Sequence, residues 1–478
     1  MFYIRYLKIC LYRFIIIVIK LRDGDNVSKS KYSIDMCSGA VLPKLLKLVL
    51  PLMLSSVLQL LFNAADIIVV GNFASENSLA AVGSTTSLVN LMTNLFLGLS
   101  TSSNVLCAHY MGARDEKNVS RTVHTSIFLS IVSGVFLTVV GVLFADDLLI
   151  LMQTPDEVRE LSALYLRIYF LGMIAMLIYN FGSSILRSKG DTKRPLYFLT
   201  FAGVINVVLN LIFVIYFKMD VAGVALATVI SQCVSASLIL ICLAREGDFY
   251  RFSFRKLRPD KKIIVKILRI GIPAGFQGVV FSLSNVVLQS SINSFGPVVM
   301  AGSAASASIE GFVWVAMNAF SQGALTFVSQ NVGGGKYSRI NKITFTACTC
   351  SAVSGLILGN LAFLFGKHLL SLYDPRPEIL DPGLTRMQLV CCFYFVCGLM
   401  DTIVGSIRGM GYAVAPTVVS MLGACGLRLL WVFTIFAIPQ YRTESILFLS
   451  YPLSWGITFV AHVICYVIMR RRLPKIDT

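Results

Sequence analysis

Charge is scarce in this sequence. Only 14% of its 478 residues are Asp, Glu, Lys or Arg, whereas 56% are hydrophobic. A water-soluble domain of that length needs a more polar surface, so a soluble globular fold is excluded. Histidine is scarcer still: four residues, scattered along the chain. The twelve cysteines form no pair of CxxC elements, and ten of them lie in or at the edges of apolar runs. There a thiol behaves as a small hydrophobe, so neither a metal site nor a disulfide framework is expected. There is no Walker element, so ATP is not the driver of any reaction here. No HExxH motif, Gly-x-Gly-Asp element or serine–histidine arrangement supports an enzyme.

What the sequence has instead is long apolar runs. The mean hydropathy is +0.77, and twelve runs reach the length of about 20 residues that a bilayer core demands of a helix. They lie at 48–70, 79–106, 122–144, 161–184, 196–217, 222–243, 264–293, 299–328, 343–365, 384–407, 416–438 and 446–469. The expected fold class is an all-α membrane protein with twelve transmembrane helices. No connection is long enough for a soluble catalytic domain. The net charge of +17 raises the question of nucleic acid, and the positions of the charges answer it. Lys and Arg crowd into alternate connections, 32 of them against 5 in the intervening ones. That alternation is the positive-inside pattern; it assigns both termini to the cytoplasm and leaves anionic lipid head groups, not nucleic acid, as the basic residues' partners. Residues 1–34 carry the short apolar stretch Phe14–Ile19 without a small-residue cleavage site before Asp23. They are read as an interfacial anchor or as the product of a start codon placed too far upstream, not as a signal peptide.

The chain repeats itself. Arg187, Gly190 and Pro195 recur as Arg408, Gly411 and Pro416, and Gly112 recurs as Gly333. Pro51 and Asn63 recur as Pro273 and Asn285. Six spans per unit is an even number, so the repeats are parallel and related by an axis along the membrane normal. The expected organisation is an extension over 1–34, an N-lobe over 35–244, a basic inter-lobe linker over 245–269, a C-lobe over 270–472 and a tail over 473–478. Two such lobes enclose a cleft, and their rocking exposes it to alternate sides. A static scaffold is the blander alternative.

Several segments, in this order, resemble the multidrug and toxic compound extrusion (MATE) family. They are Leu60 to Gly71, Ala81 to Ser84, Asn180 to Pro195, Asn206 to Asn210 and Ser308 to Gly311. The resemblance runs from about Asp35 to Arg472 and looks closest to the Firmicutes-type bacterial branch. It implies a cytoplasmic-membrane exporter driven by inward H⁺ or Na⁺, with one cavity between two six-helix bundles. It also implies a coupling role for Asp66, and a Na⁺ site in which Asp66 is joined by Asn206, Asn210 and Thr228. Asn210 stands where the family has Asp, which removes one negative charge and tilts the expectation toward H⁺. A further family acid, in the seventh span, is replaced here by Phe281, with Gln277 nearby.

Three acids lie well inside apolar runs: Asp66, Glu310 and Asp401. A carboxylate there costs roughly 2.5–3.5 kcal/mol on insertion scales, and persists where it faces a cavity, pairs with a cation or carries a proton. Asp66 shares a helical face with Asn63 at i−3. Hydrogen bonding that serves packing alone is the alternative role for each acid. Arg428 is read as the one basic residue deep in the membrane, neutralising Glu310 or Asp401, and Asn180 as the repeat partner of Asp401. Three acids against one Arg imply a negative cleft that attracts organic cations. Phe62, Met92, Tyr179, Trp314, Met317, Tyr394 and Trp455 offer aromatic and sulfur contacts to them. Pro51 and Pro273 are candidate hinges. The expected function is antiport of small, often cationic or amphipathic, organic compounds by a monomer needing no cofactor beyond its coupling ion. A flippase for a lipid-linked precursor is the alternative; an intramembrane enzyme or a channel stands lower.

Overall fold

The computed structural model describes residues 32–474 and 477, apart from 74, 75, 153 and 248. All but the last three residues of the 1–34 extension lie outside the described residues. The N-lobe runs through α1 (Val41–Phe73), α2 (Glu76–Gly112), α3 (Glu116–Leu143), a short α4 (Ala145–Leu151), α5 (Asp156–Leu171), α6 (Met173–Ser188), α7 (Lys193–Leu211) and α8 (Asp220–Ala244). The C-lobe continues with α9 (Lys261–Asn293), α10 (Pro297–Gly333), α11 (Arg339–Leu364), a short α12 (Gly366–Ser371), α13 (Pro377–Val390) and α14 (Tyr394–Gly409). It closes with α15 (Val414–Ser420), α16 (Leu427–Phe433) and α17 (Glu444–Arg471).

Among the described residues, nine helices are long and apolar enough to cross a membrane, and the bent pairs α5–α6 and α13–α14 supply two further spans. The twelfth is α2, whose 37 residues suffice in length but carry many Ser, Thr and Asn. Those side chains turn to neighbouring helices: Ser100 meets Ser184 at 2.8 Å, Ser126 donates to Ser103 at 2.9 Å, and Asn104 donates to Thr326 at 3.1 Å. Only 28–50% of each apolar stretch is buried within the protein. The remainder points outward as side chains such as Ile68, Phe136, Leu143, Leu364 and Ile457. An apolar exterior of that extent requires lipid around it.

The repeat extends to irregularities that the sequence reading did not foresee. The fourth and tenth spans break at Gly172 and around Phe393, which are repeat partners, bending by 47° and 45°. Neither break has a proline. In the N-lobe, Thr138 donates to the Phe170 carbonyl at 2.7 Å, satisfying the acceptor freed by the bend. The repeat position of Thr138 is Gly359, where a Cβ would lie 2.1 Å from the Cys391 carbonyl, so a missing side chain admits the same bend there. The prolines expected to act as hinges sit within unbroken helices, Pro51 in α1 and Pro273 in α9.

The lobes meet where α1 and α9 begin and where α2 and α10 end. Gly112 and Gly333 cross there so closely that an added Cβ would fall 1.9 Å from the Gln330 carbonyl or 1.8 Å from the His109 carbonyl. Of the four repeat glycines, Gly190 and Gly411 form turns, with φ of +90° and +91°. Gly112 and Gly333 serve the helix crossing instead. Gly98 and Gly275 permit a second backbone approach, between α2 and α9. Residues before α1 strap the same end: Ile34 N–H donates to the Lys189 carbonyl at 3.0 Å, and Asn331 donates to the Met36 carbonyl at 3.0 Å. Toward the other end the apolar clusters belong to one lobe or the other. The basic segment after α8 lies on the N-lobe, with Tyr250 and Phe252 buried and Ser253 N–H donating to His124 Nε2 at 3.2 Å.

Candidate functional sites

Asp66 lies in the last third of α1 and faces α7. Asn210 donates to its Oδ1, and Asn210 Nδ2 also lies 3.4 Å from Asn206 Oδ1. Asn206 in turn donates to Thr228 on α8 at 3.2 Å. Asn206 and Asn210, one helical turn apart, point to the same side of α7. The helix widens into a π-helical turn at Ile212–Tyr216 directly after them, an irregularity common at functional sites. Four of the sequence-derived coupling candidates are therefore in one hydrogen-bonded chain. The fifth, Asn63, is exposed and hydrogen-bonds to none of the described residues. Asp66 forms no ion pair among the described residues, and Asn210 Oδ1 is buried without a partner. The cluster presents oxygen atoms and a single carboxyl group, a donor set suited to a proton or a hard monovalent cation.

The second site is a cavity of about 630 Å³ in the C-lobe, lined from α9, α10, α13, α14, α16 and α17, with Asn94 on its N-lobe side. Gln277, Glu310, Asp401 and Arg428 all line it, as do Trp314, Tyr394 and Trp455. Asn180 does not: it sits in the N-lobe, donating to the Met176 carbonyl at 2.9 Å. Of the other contacts expected for a ligand, Tyr179 is buried and donates to the Pro195 carbonyl, and Phe62 packs against Gly203.

The expected charge balance is corrected here. Arg428 is not the only deep cation, because Arg386 and Arg408 line the same cavity. Nor does Arg428 neutralise either acid. Glu310 is held by Arg386, whose Nε and Nη2 donate to its two oxygens at 2.7 and 2.9 Å. Ser306 donates to the same carboxylate at 3.0 Å, and Arg386 Nη1 donates to Ser303 at 2.7 Å. Arg428 donates through Nε to Ser454 at 2.9 Å and lies over the rings of Tyr451 and Trp455, at 4.4 and 5.4 Å from their centroids. Arg408 donates to Gln277 at 2.8 Å, while its Nε is buried without a partner. Among the described residues, neither Arg408 nor Arg428 has a carboxylate oxygen within 4.0 Å. Three arginines against two acids give this cavity a formal charge of +1. Arg386 was overlooked although it falls inside the tenth apolar run. Arg408 was counted as a topology signal because it stands at that run's edge, and only the bend and packing of α14 turn it inward.

Comparison with known proteins agrees with this architecture. The MatE family model matches twice, over residues 51–212 and 273–434, which are the two repeats found above. The probable multidrug resistance protein YoeA of Bacillus subtilis is 27% identical over 419 residues, covering 86% of this chain and 90% of its own. A FAD transporter of Shewanella oneidensis is 23% identical over 363 residues, covering 74% and 79%. Among solved structures, the outward-facing conformation of a multidrug resistance MATE family transporter superposes with a TM-score of 0.87 at 20% identity, covering 94% of this chain and all of that one. With its own internal repeat matched by that model over more than half its length, this chain belongs to the MATE family of transporters.

Proposed function

We propose that this protein is a secondary active antiporter of the bacterial cytoplasmic membrane, exporting small organic molecules in exchange for an inward-moving proton bound at Asp66. The observation that carries this reading is the Asp66–Asn210–Asn206–Thr228 chain: a membrane-embedded carboxyl group with amide partners and no counter-cation among the described residues. A carboxylate kept at that depth without a paired cation is favoured where it takes up and releases an ion. The basic connections support cytoplasmic termini, which puts the glycine crossing on the cytoplasmic side and the parted ends of the lobes outside. Protonation of Asp66 removes the charge that Asn210 solvates, and repacking of α1 against α7 then biases the rocking of the lobes. The protein acts as a monomer. Each charge moved across 100 mV is worth about 2.3 kcal/mol, which supports a gradient of tenfold or more.

Sodium is the second reading, favoured by the unpartnered Asn210 Oδ1 beside the oxygens of Asp66, Asn206 and Thr228. The flippase alternative gains from the basic cavity but gathers no support from the names of the relatives above. The test is dye efflux from pump-deficient bacterial cells, with ethidium and fluorescein as cationic and anionic probes. Wild type is expected to extrude at least one dye, and Asp66→Asn to lose at least 90% of that rate. Sensitivity to protonophore alone supports H⁺; loss on Na⁺ withdrawal alone transfers coupling to Na⁺. Undiminished efflux by Asp66→Asn would refute the assignment.

A further inference from the structure

We propose that the C-lobe cavity binds an aromatic organic anion, with its acidic group on Arg408 and Arg428 and its ring among Tyr394, Tyr451 and Trp455. This rests on the reading that the cavity holds the exported molecule, and it reverses the charge expected of that molecule. The Glu310–Arg386 pair is bidentate and closed on itself, with Ser303 and Ser306 completing its hydrogen bonds. It offers a ligand little free charge. What remains is Asp401 facing two arginines. Asp401 and Arg408 are seven residues apart on α14, two helical turns, and share its cavity face.

Arg408 and Arg428 are provided for incompletely. A guanidinium has five N–H donors, yet Arg428, only 3% exposed, makes one hydrogen bond among the described residues. Arg408 spends one on Gln277 and leaves Nε buried and unmatched. Buried donors of this kind are costly unless something accepts from them. A carboxylate, sulfonate or phosphate is the acceptor whose geometry suits a guanidinium fork. Arg428 is also held against the aromatic wall, its guanidinium carbon 4.4 and 5.4 Å from the ring centroids of Tyr451 and Trp455, and it lines the cavity that an anion would enter. The aromatic walls continue through Tyr394, whose ring centroid is 5.1 Å from that of Trp455. A cavity of about 630 Å³ falls in the range that encloses a molecule of drug size.

The experiment uses three probes of one shape and different charge: 2-naphthoate, 2-naphthamide and 2-naphthylmethylammonium. Binding to the purified full-length protein in detergent is followed by isothermal titration calorimetry, without any ion gradient. Naphthoate is expected to bind at least tenfold more tightly than either of the others. Arg428→Gln and Arg408→Gln are each expected to weaken naphthoate at least tenfold while changing the naphthamide affinity less than twofold, which also certifies a folded cavity. Arg428→Lys, keeping the charge, should retain most of the preference. Tightest binding of the ammonium probe, a preference that survives both glutamine variants, or binding of none of the three would overturn the proposal. So would a preference for soluble dihexanoylphosphatidate over naphthoate, which points to a lipid. Because no gradient is involved, a failure of coupled antiport leaves this result interpretable. A protein that exports ethidium yet ignores naphthoate would refute this proposal alone.

Discussion

The two lobes share a fold and distribute charge in opposite ways. In the N-lobe, buried paired charges gather at the basic end of the helices. Lys189 and Arg194 meet Glu246, and Arg194 also meets Asp191, all nearly buried. The repeat positions of Lys189, Asp191 and Arg194 hold Met410, Tyr412 and Ala415, so the C-lobe has no such network. Its buried charges lie instead in the cavity, where Asp401 replaces the repeat partner Asn180 and Arg408 is among the lining residues. Asp66 has Leu288 as its counterpart in the C-lobe. On the function proposed above, a duplicated scaffold is divided, one half for an ion and the other for an organic molecule. Helix packing at the shared crossing is served by backbone and small residues in both halves, which frees the polar positions to diverge.

The largest effect that would sharpen this contrast is on stability. Glu310→Gln strands Arg386 in a buried site and is expected to cost about 3–5 kcal/mol. Asp66→Asn strands no cation and should cost within about 1 kcal/mol, although it is expected to remove at least 90% of coupled efflux. Thermal unfolding of the two variants in detergent makes the comparison; equal losses would mean that Asp66 is structurally paired after all. Next is the crossing that the lobes share. Gly333→Ala and Gly112→Ala should each cost about 1–3 kcal/mol through forced separation of α2 and α10, and by similar amounts. Gly456→Ala, with open space around it, serves as the control and should be neutral. A large difference between Gly112→Ala and Gly333→Ala would break the symmetry argued here.

The smallest effect concerns pH. Burial opposes ionisation of Glu246, but Lys189 and Arg194 outweigh it and hold its carboxyl below the ordinary value of 4.5. A group whose value is lowered by folding contributes stability above its unfolded value and loses it as pH falls through the folded one. The melting temperature is therefore expected to be level from pH 8 to about 5 and to decline below 4.5, by a few degrees more in wild type than in Glu246→Gln.

Much of this molecule was legible along the chain. Twelve apolar runs, the alternation of Lys and Arg, and the recurrence of Arg187 to Pro195 as Arg408 to Pro416 are one-dimensional signals, because a bilayer imposes its thickness and polarity on every span separately. Asn206 and Asn210 came from the family resemblance, and their i and i+4 spacing gives them one helical face. The charge of the cavity was not legible, since it depends on which arginines turn inward. Arg386 and Arg408 stand near span ends, where the same residue can anchor to a head group or reach into a cleft, and only the break around Phe393 and the packing of α13 and α14 choose between them. Hydrophobicity and periodicity determined the spans and the repeat. Tertiary structure decided the pairing of charges, because the cost of a buried ion is set by the neighbours it finds in space.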